Sequence, residues 1–174
     1  MSSDYKFNSK LENFEDSPLW NYHIMVPTSI AIDIKKEKIR RVIACLNEDL
    51  TFHCALMSDG KGGSFIMLNK EIRSKLGLEH GSNVQVELKK DSSKYGMDMP
   101  EEFSSALSFD EDVSLLFHQL TPGKQRSLIH LVAKNKLSET RIKKALVIMD
   151  YLKNSSGKLD FKELNEAFKH SNRV

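Results

Sequence analysis

The sequence is short of most features that announce a function. It holds two cysteines, too few for a disulfide framework. No segment approaches the roughly 18 apolar residues that a membrane-spanning helix needs, and Met1 to Lys10 contains no apolar stretch of secretory length. The expectation is a soluble, cytoplasmic chain without membrane insertion. Net charge is nearly absent: 26 Lys and Arg stand against 24 Asp and Glu, a formal +2, which does not indicate a strongly basic nucleic-acid protein. No nucleophile elbow, zinc-protease motif or dinucleotide fingerprint occurs. What is present is a chain of 174 residues, 40% hydrophobic and 29% charged. That excludes wholesale disorder and allows one ordinary domain or two small ones, with a core that needs no staples.

Patterning changes character near residue 95. Before it, β-branched and aromatic residues alternate with polar ones, punctuated by Gly, Asn and Asp, and six strands are predicted: Tyr5 to Phe14, Trp20 to Val26, Ile39 to Leu46, Thr51 to Met57, Ser64 to Leu68 and Asn83 to Lys89. Pro27 ends the second strand and can start a short helix over Thr28 to Ile34. Lys70 to Leu76 reads as another short helix, stopped by Gly77. From Met99 the period becomes helical. Val113, Leu116, Phe117 and Leu120 share a face, and Thr121-Pro122 opens a helix with Leu128, Ile129, Leu131 and Val132 inward. Ser138 begins the longest helix, with a stripe of Ile142, Ala145, Leu146, Met149 and Leu152, and Asp160 with Glu163 resembles a capping box for a last one. Four helices are expected in this half, and the polar segment Asp91 to Asp98 is expected to be the joint.

The first half also contains a possible duplication. Ile24 to Ile30 aligns with Ile66 to Ile72 at an offset of 42 residues, and the same offset sets Val42, Ala44 and Leu46 on Val84, Val86 and Leu88. Either apolar strands resemble each other by chance, or one strand-helix-strand unit occurs twice and the two copies close one barrel.

The candidate chemistry is thin. Gly60-Lys61-Gly62-Gly63-Ser64 has the wrong spacing for a phosphate loop and precedes a strand, so a turn is expected. Cys45, Cys54, His23 and His53 lack the close ligand pairs of a zinc site. With a two-residue hairpin loop Cys45 would face Phe52, leaving Cys54 on the diagonal at roughly 7 Å, so free thiols are expected. Leu152 to Glu163 imitates a calcium loop but has leucine where the first carboxylate belongs. His118 and His130 lie beside apolar faces, and Asp110, Glu111 and Asp112 suit a helix start. No catalytic residue, metal or cofactor is expected.

Charge segregation is the stronger signal. Asp98 to Asp112 carries six acidic and no basic residues, whereas Lys124, Arg126, Lys134, Lys136, Arg141, Lys143 and Lys144 stand against Glu139 alone. The two stretches can pair with each other or lie on solvated faces. Alternatively the basic residues form an anion-binding or nucleic-acid-binding face.

Two runs carry a resemblance. Asn69 to Val86, followed by Lys90 to Glu101, resembles the bacterial domain of unknown function found before YdeI/OmpD-associated segments. Leu120 to Ile129, with Ala133-Lys134 and Thr140 to Ala145, is similar to the YdeI/OmpD-associated helical segment itself. The resemblance implies an α+β chain: a six-stranded double-split β-barrel of the AbrB and MazE type over residues 1–94, then a small helical domain over 95–174. In AbrB-like and MazE-like proteins two chains each supply a strand-helix-strand unit; both in one chain would be compatible with a monomer. Asn69 stands where that pattern usually has proline, and DNA binding does not follow from the fold. For some members the resemblance implies a link to bacteriocin tolerance or envelope stress, with no catalytic residue. The expected function is therefore a non-enzymatic binding protein with a protein or nucleic-acid partner. A nucleic-acid-binding regulator using the basic helical face is the alternative. A third reading is an enzyme with a pocket between the two halves, near Tyr95.

Overall fold

The computed structural model describes residues 4–14 and 22–171; Trp20 and Asn21, at the start of the second expected strand, lie outside them. The chain divides into two compact units, Met1–Gly96 and Met97–Val174.

The first unit is an antiparallel sheet that curls into a half-barrel. Its elements are β1 (Tyr5–Asn13), β2 (Tyr22–Val26), α1 (Thr28–Lys36), β3 (Arg41–Leu46), β4 (Leu50–Ala55), β5 (Met57–Ser58), β6 (Ser64–Met67), α2 (Lys70–Lys75) and β7 (Asn83–Lys90). The strand order is β4-β3-β7-β1-β2-β6-β5. Among the described residues seven strands replace the expected six because Leu56 interrupts the fourth; its N–H goes to the Arg40 carbonyl. The alternation that predicted strands also selects the core. Val42, Ala44 and Leu46 of β3 and Val84, Val86 and Leu88 of β7 point inward with Leu11, Ile24 and Ile66, and Ala31 and Ile34 of α1 pack on them.

The two strand-helix-strand segments face each other in the sheet. Ile24 pairs directly with Ile66, and Cys45 with Glu87. Both are pairs of residues 42 apart, the separation that relates the two segments. β1 and β4-β5 follow the same relation. Glu12 and Asn13 pair with His23 and Tyr22, and Met57 and Ser58 pair with Phe65 and Ser64.

Two local expectations are corrected. The β3-β4 hairpin has a three-residue loop, because Leu46 pairs with Leu50 and Cys45 with Thr51 rather than Phe52. Asn47 and Glu48 adopt positive φ there, and the Asn47 side chain accepts from Gln85 N–H. Cys45 and Cys54 are free; their partners Thr51 and Val42 put them on opposite faces of the sheet. The boundary between the units falls within the expected joint, Asp91 to Asp98, and the part of that segment in the first unit is held by specific contacts. The Asp91 carboxylate is buried against His53 Nδ1 at 2.9 Å and accepts the Ser93 N–H, while Arg41 donates to the Gly96 carbonyl at 2.7 Å. Gly96 has φ of 71°, and a Cβ there would run into the Arg41 side chain. Burial would raise the Asp91 carboxyl, but hydrogen bonds from Ser93 and His53 bring it below the usual range.

Among the described residues the second unit has five helices: α3 (Glu101–Phe109), α4 (Glu111–Gln119), α5 (Pro122–Ala133), α6 (Ser138–Asn154) and α7 (Phe161–Ser171). There are five rather than four because Asp110 separates α3 from α4, its carboxylate accepting the Val113 N–H as an N-cap. α6 packs against all four others. Its buried face is Ala145, Ile148, Met149 and Leu152, so the expected stripe is rotated: Ile142 and Leu146 are 46% and 53% exposed. Asp160 caps α7 through Lys162 and Glu163 N–H. Glu163 does not complete a capping box, since the Tyr151 hydroxyl takes its carboxylate and also accepts the Asp160 N–H. Among the described residues no helix is long and apolar enough to cross a membrane.

Candidate anion-binding cleft

The acidic and basic stretches of the second unit meet at Glu102 and Arg141. Arg141 Nη2 lies 2.7 Å from Glu102 Oε1, and its Nη1 donates to the carbonyls of Asn135 and Lys136. Ser138 adds a hydrogen bond to the same carboxylate. These donors hold the Glu102 carboxyl down at about 2. Arg141 thereby ties the start of α6 to α3 and to the end of α5. Asp110 finds its cation outside the basic stretch, in Lys153 at 2.8 Å.

The remaining basic residues separate by position. Lys124 is exposed in the first turn of α5, and Arg126 is half-buried on the same helix beside Ser127 and His130. Lys136 is exposed in the α5-α6 turn. Lys134 ends α5, and Lys143 and Lys144 sit on α6. Lys134 and Lys144 line a cleft of about 360 Å³ together with Leu131, Asn165, Phe168 and Lys169. The Lys144 ammonium rests 3.8 Å from the centre of the Phe168 ring, a cation–π contact that holds the half-buried amine over an apolar floor. Desolvation lowers the Lys144 pKa, and repulsion from Lys134 and Lys143 pushes the same way. Among the described residues no carboxylate lies within ion-pair distance of these three lysines. Glu166 does reach Lys169 at 2.7 Å, on the rim.

Such an arrangement favours an oxyanion. The ammonium groups of Lys134 and Lys144, with that of Lys169 on the rim and the Asn165 amide, surround a concave surface, and any negative charge that enters relieves the repulsion on Lys144. Phe168, Asn165 and Lys169 were not among the expected site residues. Phe168 sits on the apolar stripe of α7, so its sequence position signals core packing and not a cleft floor. Asn165, Phe168 and Lys169 lie more than twenty residues beyond Lys144, where the basic stretch ends, so no local spacing joins them.

No curated protein matches the chain. Residues 7–88 match the family model described as Domain of unknown function (DUF1905), and residues 96–154 match the model described as Bacteriocin-protection, YdeI or OmpD-Associated. Following one another along most of the chain, these two matches support a YdeI/OmpD-associated family for the protein.

Proposed function

We propose that the chain is a non-enzymatic, cytoplasmic binding protein that engages an anionic partner through its helical unit, in a role related to bacteriocin tolerance or envelope stress. The observation that carries this reading is the convergence of Lys134 and Lys143 on Lys144, whose ammonium rests on the Phe168 ring; none of the three lysines finds a carboxylate among the described residues. The description of the matched family as bacteriocin-protection supports the role. Free Cys45 and Cys54 suit a reducing compartment.

We read the first unit as a double-split barrel of the AbrB and MazE type, with both strand-helix-strand units supplied by one chain. The direct pairing of Ile24 with Ile66 and of Cys45 with Glu87 supports it, as does the split of β1 between β7 and β2. A barrel completed within one chain is compatible with a monomer.

A nucleic-acid backbone is the second reading, favoured by Lys124 and Lys136 being exposed on the same unit. Lys134→Glu, Lys143→Glu and Lys144→Glu, combined, test both readings. Retention of the full chain on phosphocellulose should weaken steeply with salt and be lost in the triple variant; unaltered retention refutes the cleft. Gel shifts with duplex DNA separate the partners. A nucleic-acid ligand gives a salt slope of about 0.9 per phosphate contact, reduced by roughly two to three in the variant.

A further inference from the structure

The two strand-helix-strand segments of the barrel unit are alike in backbone but not in chemistry. The 42-residue offset sets Pro27, Thr28 and Ala31 on Asn69, Lys70 and Arg73. Ladder register likewise sets Asn8 on His53, since Phe7 and Phe52 face the equivalent residues Val86 and Ala44. In the first segment Ala31 is buried in the core. In the second, Arg73 and Lys70 border a cavity of about 430 Å³ that also takes in Tyr22, Phe52, His53 and Met67.

The Arg73 guanidinium lies 3.8 Å over the Tyr22 ring. Its Nε is buried and makes no hydrogen bond. A guanidinium stacked on one face is held in orientation while the donors along its edge stay available to a planar oxyanion. His53 is oriented by Asp91, whose side chain is wholly buried. Among the described residues no carboxylate lines the cavity, and Phe52, Met67 and Ile72 make much of its wall apolar. Two cations beside an apolar wall match a ligand with a flat apolar body and one oxyanion group.

We propose that this cavity binds a small organic anion of that kind, a carboxylate or phosphate monoester, with the acid group on Arg73 and Lys70 and the flat body against Phe52, Met67 and Ile72. The site is distinct from the lysine cleft and does not depend on it.

The test is an NMR titration of the 15N-labelled full chain with benzoate, phenyl phosphate and inorganic phosphate, following the Arg73 Nε–Hε signal in the parent and the backbone amide signals of Asn69, Lys70 and Ile72 in the parent and in the variants. At least one aromatic anion should move that signal saturably, and inorganic phosphate should bind at least about tenfold more weakly, because the apolar wall contributes nothing to it. The tighter aromatic anion identifies the acid group. Arg73→Ala restores the residue found at this place in the first segment, so the fold should tolerate it, and affinity should fall at least about tenfold. Arg73→Lys keeps the charge without the fork and should lose several-fold. The proposal is overturned if neither aromatic anion moves the signal up to about 10 mM, if inorganic phosphate binds as tightly as they do, or if both variants bind like the parent.

Discussion

Ile24 and Ile66 provide the sharpest check on the relation between the two barrel segments. Both are fully buried and directly paired across the β2-β6 ladder, so their side chains share one region of core. Ile24→Ala and Ile66→Ala each delete three carbons. At about 0.8 kcal/mol per buried methylene the transfer loss is about 2.4 kcal/mol, and the cavity left behind can bring the total to between about 2 and 5 kcal/mol. Equivalent places in a repeated frame should cost similar amounts. The double variant should fall short of additivity by about 0.5 to 3 kcal/mol, because the second deletion enlarges a gap the first has already opened. Since two units can unfold separately, the assay should report on the barrel alone: native-state hydrogen exchange at Ala44 and Val86. A loss of about 2.4 kcal/mol accelerates exchange by roughly fifty-fold where the barrel opens as a unit. If one variant exchanges like the parent, or the double is fully additive, the shared core argued from the ladder is wrong.

Acidification should weaken the barrel through His23. Its ring is buried, stacked 3.8 Å from that of Phe14, and burial lowers its pKa despite Glu12 nearby. The unfolded chain therefore binds the proton more readily, and stability present above the unfolded value near 6.5 is lost as pH falls below it. Urea midpoints at pH 7 and 5 should differ, and His23→Phe should shrink the difference; an equal difference in both proteins counts against the assignment. Glu102 should titrate near 2, followed by carboxyl 13C shifts. The Arg141 contact then stabilises the helical unit above the ordinary glutamate range and is lost as pH falls through it; a midpoint near 4.5 would show the pair open in solution. Burial pushes the Cys54 thiol up to about 12, so iodoacetamide at pH 8 should leave it unmodified in the native chain and alkylate it in urea, read by peptide mass spectrometry.

The alternation of β3 and β7, the change of period near residue 95, the separation of acidic from basic residues and the 42-residue offset were all legible from local pattern, because each depends on neighbours a few residues apart or on simple recurrence. The family resemblance rested on runs of the same local kind. Other features required the folded chain. Leu56 reads as mid-strand, yet its N–H is taken by Arg40, which splits β4 from β5. Ile142 and Leu146 fit an apolar stripe, but a helix surrounded by four others buries the face containing Ile148 instead. Asp91 looks like linker until His53 and Ser93 bury its carboxylate. The basic stretch was visible as charge, but its division was not. Arg141 is committed to Glu102, while Lys134 and Lys144 converge over Phe168 from a helix beyond the stretch. Sequence alone thus determined which residues prefer strand, helix and core, since those preferences are short-ranged. Only the tertiary structure decided which charges are neutralised within the fold and which are not, because that depends on partners brought together by packing across tens of residues.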